Sequence, residues 1–440
     1  MKGIFRFRTG STLAMALAAA VAVTGMGVGT APAYAKKGGN SKEFVAAAGP
    51  FQKQIESLSK EQKDGADVTS KAKALIPEVE KVMAAASTPA DQLIAGNFGQ
   101  QLAGMAGDMA LRARGVKMML DSGELKPEQV PQFQFYLGNF AYASGDYATA
   151  GTALTAAAKG GITEEQLVPL LIESYGKGGN AAEGLSVARQ QIEAAQAAGK
   201  VVPEAWLNRA TVVAFNSKLA PQANAFAGML VNSYPSNFNW LTATQIARSL
   251  GNLDPDATLD LFRLMDRSGA LDNKPEYVKR EYREYVETAD PRRYPGEVVR
   301  VINEGMAAGA LSSSDTWATE AKTNASGRIS SDKASLAGSV KSAMAGSAKS
   351  AQALGDGFLN YGEAAQAEQL YAAALTKPGV DANLVQTRLG IAQFDQGKYP
   401  DAAASFAKVT GPRQPMAQLW QVLVQNKTKP AAAPAPAATQ

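Results

Sequence analysis

The stretch GNFAYASGDYATAGTALTAAAKGG, Gly138 to Gly161, decides how the chain is read. It carries almost no charge and no proline, and Gly145-Asp146 cuts it in the middle. Ala150 follows the cut, Leu154 stands four residues later and Ala157 three after that, while Gly138 lies seven residues before the cut. Small residues at these spacings let two antiparallel helices approach closely, and the larger ones fill the seam between them.

The same unit recurs. Taking the small residue of the second helix as anchor gives Ala150, Gly184, Ala223, Ala257, Val298, Ala367 and Ala402, at intervals of 34, 39, 34, 41, 69 and 35 residues. The interval of 69 reads as two units with a degenerate copy near Lys333. Four residues after each anchor stand Leu154, Ala188, Ala227, Leu261, Ile302, Tyr371 and Phe406, all apolar. The turns are marked by Gly145-Asp146, Gly179-Asn180, Asn252-Leu253, Gly362-Glu363 and Gly397-Lys398, with Lys218 and Arg293 at two less regular places. Glycine or asparagine there supplies the left-handed conformation that ends a helix. Repeats of this length that are helix-turn-helix throughout predict an all-α fold, an α-solenoid of about 8–9 units.

On these residues the chain resembles the tetratricopeptide repeat family. YLGNFAYASGDYATAGTAL (Tyr136 to Leu154), RLGIAQFDQGKYPDAAASF (Arg388 to Phe406) and LGDGFLNYGEAAQAEQLYAAAL (Leu354 to Leu375) carry the resemblance, which runs from about Pro131 to Pro415 and is weakest between Ala270 and Ser347. It implies a groove lined by the first helix of each unit. Asn139, Tyr142, Glu173, Asn208, Asn216 and Arg248 are the candidates that would face it. The clustered Lys and Asn by which co-chaperone members of that family grip a peptide carboxylate are not visible.

Six segments follow. Residues 1–35 read as a signal peptide: Lys2, Arg6 and Arg8 precede an apolar run from Leu13 to Val28, and Ala33-Tyr34-Ala35 offers a cut between Ala35 and Lys36. The run is shorter than the ~20 residues a membrane span needs. Residues 36–130 form a helical cap with breaks at Lys63-Asp64-Gly65 and Pro77 and one divergent repeat, residues 131–312 hold regular repeats, and residues 313–347 form a Ser/Ala-rich degenerate repeat or hinge. Residues 348–426 hold the last repeats and a closing helix, and residues 427–440 a Pro/Ala tail that cannot form a packed core.

Removing the signal leaves 41 basic against 40 acidic residues, without the clustered basic face of a nucleic-acid binder. The chain has no cysteine and no histidine. That excludes disulfides, thiol nucleophiles, Ser-His-Asp catalysis and the usual zinc sites, so neither metal nor cofactor is expected. Asp254 and Asp256 flank Pro255, as a helix N-cap does, and Glu281, Glu284 and Glu287 alternate with Arg280 and Arg283, as on a solvated face. The reading is therefore a non-catalytic scaffold with a protein or peptide partner, exported and periplasmic in a bacterium, serving cell-envelope assembly or maintenance. A structural adaptor of an export machine and a polysaccharide-processing enzyme using carboxylates are the alternatives, and secretion beyond the cell remains open.

Overall fold

A glycine on one helix and a large side chain sixteen residues later on the next form the seam of the best-formed repeats. A Cβ added at Gly138 would lie 2.5 Å from Leu154, one at Gly355 2.8 Å from Tyr371, and one at Gly390 2.6 Å from Phe406. Each distance is well inside the ~3.5–4.0 Å of a good carbon contact, so only glycine lets these helix pairs close. The anchors Ala150, Ala223, Ala367 and Ala402 are fully buried.

The computed structural model describes residues 39–429, and among these there is no strand. The signal segment with its Ala35/Lys36 cut and the end of the Pro/Ala tail lie outside the described residues. The helices follow one another as α1 (Lys42–Lys63), α2 (Thr69–Ala74), α3 (Ile76–Ala85), α4 (Pro89–Ala106), α5 (Met109–Asp121), α6 (Val130–Ser144), α7 (Tyr147–Lys159), α8 (Leu167–Lys177), α9 (Ala181–Ala197), α10 (Glu204–Asn216) and α11 (Ala220–Ser233). They continue as α12 (Asn237–Leu250), α13 (Pro255–Arg267), α14 (Pro275–Ala289), α15 (Pro295–Ala307), α16 (Thr316–Ser326), α17 (Ile329–Ala345), α18 (Ala348–Asn360), α19 (Ala364–Leu375), α20 (Ala382–Asp395) and α21 (Tyr399–Ala407). A 3-10 turn at Gly411–Arg413 leads into α22 (Gln414–Thr428). The fold is an α-solenoid of helix-turn-helix repeats, in two units, Met1–Val213 and Ala214–Gln440.

In the first unit, α1 to α3 form the cap. Asp91, fully buried, accepts from the Ser41 hydroxyl at 2.8 Å and from the Ser87 and Thr88 amides, tying the start of α1 to the capping box of α4. Phe44, Phe51, Ile55 and Leu58 of α1 pack on Phe98 and Leu102 of α4. The breaks fall where the sequence puts them: Gly65 takes φ +90 just after α1, and Pro77 sits in the first turn of α3. Glycine also sets the α4–α5 crossing, since a Cβ at Gly115 would meet backbone at 2.6 Å.

The left-handed turn residues include Gly145, Gly179, Gly362 and Gly397, and also the non-glycines Lys218 and Asn252. Between α14 and α15 that role falls to Asp290, at φ 58, rather than to Arg293. The Ser/Ala-rich segment is ordered helix, but its two helices do not reverse like a repeat. Gly327 and Arg328 keep right-handed helical angles between α16 and α17. These helices bury only Ala318, Ala325 and Ala343. They still pack on their neighbours, Thr316–Ser326 against α15 and Ile329–Ala345 against α18, while the Glu297 amide of α15 also donates to Asn360 Oδ1 of α18 at 2.8 Å.

Candidate interaction surface

Along the first unit, polar side chains one repeat apart meet across successive first helices. The Tyr142 hydroxyl of α6 donates to Glu173 Oε2 of α8. Lys177, one turn further along α8, donates to the Tyr142 oxygen at 2.8 Å and stands over the Tyr142 and Tyr147 rings at 4.6 and 5.2 Å. Arg209 of α10 reaches Glu173 Oε1 at 2.7 Å. Two cations and a phenol thus converge on one carboxylate, and the cations keep 47% and 35% of their side-chain surface open. Burial raises the Tyr142 pKa and the bond to Glu173 adds to this, with Lys177 opposing. Burial alone would lower Lys177, but its bond and attraction to Tyr142, with Glu173 behind, leave it raised.

The sequence candidates divide accordingly. Tyr142 and Glu173 are brought together, and Asn208 is half-buried beside Arg209. Asn139 does not face a groove: it is buried, and its amide donates to the Phe135 carbonyl at 2.7 Å. Asn216 is exposed at the end of α10. Arg248, in the second unit, pairs with Glu284 and with Glu281 at 3.3 Å, and Gln245 donates to Glu281 at 2.8 Å. Glu281 is therefore buried rather than part of a solvated face, while Arg283 and Glu287 do pair in solvent.

The second unit holds a buried charge cluster. Arg263 of α13 donates to Asp260 at 2.9 Å and doubly to Glu297 of α15 at 2.9 and 2.7 Å. Arg388 of α20 donates to Asp260 at 3.1 Å and to Asp356 of α18 at 2.7 Å. Arg413 donates to Asp260 Oδ2 at 2.8 Å. Tyr285 closes on Glu297 at 2.7 Å and Tyr371 on Asp356 at 2.8 Å. Burial would raise the Glu297 carboxyl, but the Arg263 guanidinium, with the Tyr285 bond, pulls it to about 2. Burial, with the Asp356 charge, lifts the Tyr294 phenol to about 12.

Asp254 caps α13 as expected, accepting from the Ala257 amide at 2.6 Å. Asp256 leaves that capping turn to bind Arg388 at 2.8 Å and Arg293 at 3.0 Å. These pairings consume the carboxylates of the Asp-Pro-Asp motif in ion pairs and a cap. Sequence reading missed Lys177, Arg209 and the cluster. The available signal was charge in an apolar phase: Asp260 and Arg263 interrupt TLDLFRLM, three residues apart, so on one helix face.

Among the described residues no group of His, Cys, Asp and Glu could hold a metal ion, and no helix is long and apolar enough to cross a membrane. No family model matches the chain, and no curated protein matches its sequence. Solved structures do match, among them a chain in the structure of Naa15/Naa10 bound to HypK-THB. It is 13% identical, with a TM-score of 0.27, and the match covers 83% of this chain. The chain spans 62% of that chain's length.

Proposed function

We propose that this protein is a non-catalytic scaffold of tetratricopeptide type that binds a protein or peptide partner along the first-helix strip of its first unit. The observation that carries the reading is the Tyr142–Glu173–Arg209 ladder with Lys177. It places half-open cations, a phenol and a carboxylate on three successive first helices, joined at 31 and 36 residues' separation. Rows of donors and acceptors at repeat spacing suit an extended polypeptide, whose own groups recur along its length. The second unit's buried charges are paired with one another, so its large cluster offers no open groups of this kind.

The basic start, apolar run and Ala-Tyr-Ala cut support export from a bacterium, with residence in the periplasm and a role in cell-envelope assembly or maintenance. Mass spectrometry of the exported protein tests the first step; a chain beginning at Lys36 is expected, and a retained Met1 rejects it. Crosslinking in the native envelope then identifies the partner. Arg209→Ala with Tyr142→Phe is expected to lower capture with a smaller loss of thermal stability than a seam variant, because Phe keeps the ring packed on the core and Arg209 is partly exposed. Ala150→Leu is expected to lower both, since overpacking a seam costs about 1–3 kcal/mol. Full capture by the Tyr142 and Arg209 variants would reject the strip as the binding surface.

A further inference from the structure

In an open helical array each unit buries its face against its neighbours alone. The second unit departs from this. Arg267 of α13 pairs with Asp395 of α20 through bonds of 2.9 and 2.8 Å, and Arg388 of α20 reaches Asp260 of α13, each across 128 residues of sequence. The C-terminal segment makes longer jumps: Arg413 to Asp260, the Asn426 amide to the Val231 carbonyl at 2.8 Å, and Lys429 to the Asn232 carbonyl at 2.7 Å. Met416, Leu419, Trp420, Leu423 and Val424 of α22 are all buried. The Trp420 ring stacks on Phe406 at 5.3 Å and meets Phe394 edge-on at 5.5 Å. Residues 411–429 are therefore a strap that joins the last helix pair to α11.

The charge count singles out one residue of that strap. The buried side chains of the cluster are Asp260, Asp356 and Glu297 against Arg263, Arg388 and Arg413. Arg263 already serves Glu297, and Arg388 already serves Asp356. Without Arg413, two guanidinium groups would face three buried carboxylates. Asp256 and Asp254, 33% and 62% exposed, lie at the rim, where water screens them. Asp260 would keep its bonds from Arg263 and Arg388, but one buried negative charge in the cluster would go uncompensated, which is destabilising. The body of the unit therefore resists release of the strap, which an apolar end helix alone would not impose.

We propose that Arg413 is the lock of this strap, coupling α22 to the centre of the unit so that strap and body open together instead of the end helix fraying by itself. Hydrogen exchange on the full chain tests it. In the native sequence the amides of α22 are expected to exchange with the same opening as those of α13 and α20. Arg413→Gln is expected to speed α22 exchange by roughly tenfold or more and to weaken α13 and α20 as well. Adding Asp260→Asn restores the charge balance, with two arginines for two carboxylates, so α13 and α20 regain protection while α22 stays fast. Arg413→Lys keeps the charge and carries the test if Arg413→Gln does not fold; body protection near native is then expected. The proposal is overturned if native α22 exchanges far faster than α13 and α20, or if Asp260→Asn restores nothing.

Discussion

Gly390→Ala and Gly228→Ala are the same substitution with opposite expected outcomes. At Gly390 the new methyl would lie 2.6 Å from Phe406 Cε1 and 2.8 Å from two further ring atoms. The ring cannot yield easily, because its far face is stacked on Trp420. Restoring a contact of ~3.5 Å requires the helices to part by roughly 1 Å. Overpacking of this kind costs about 1–3 kcal/mol, and removing a helical glycine returns about 0.5–1 kcal/mol. The net loss is about 0–2.5 kcal/mol, a fall in Tm of up to roughly 10 °C for a unit of this size. At Gly228, inside α11, nothing lies within 4 Å of the added carbon, so only the gain remains and Tm rises by roughly 1–4 °C. Scanning calorimetry on both variants reads the difference. If Gly390→Ala stabilises as much as Gly228→Ala, the seam is not closed by glycine and the account of the repeat fails.

Other expectations follow from the charge cluster. Glu297 has a folded pKa of about 2 against an ordinary 4.5, so its stabilisation is complete above about 4.5 and is lost as pH falls towards 2. That loss is on the order of 3 kcal/mol. Denaturant titrations over that range read it, and Glu297→Gln should flatten the acid side. Arg263→Met leaves Asp260 and Glu297 short of a cation and is expected to cost about 3–5 kcal/mol by chemical denaturation. Arg189→Ala, which breaks an exposed pair with Glu193, should change stability by less than about 1 kcal/mol. Equal costs for the two arginines would contradict the burial argument.

The fold was legible because its determinants are local. Gly138 and Leu154, or Gly390 and Phe406, belong to one helix pair, and their spacing is the geometry of that pair. Turn signals were legible for the same reason, and Asp290 escaped only because aspartate, like asparagine, tolerates a left-handed angle that its sequence context did not advertise. Charge pairing was not legible. Arg388 and Asp260 are 128 residues apart, and nothing in either segment names the other. Asn139 shows the opposite error, since its place on a first helix suggested the groove while its phase turns it to the Phe135 carbonyl.

Site-specific photocrosslinking along the first unit tests the central claim most directly. The probe is placed at Lys177 and Arg209 on first helices, and at Thr152 and Arg189, exposed on second helices. One partner is expected to be captured from Lys177 and Arg209 and not from Thr152 or Arg189. Capture of that partner from the second-helix positions alone would contradict it.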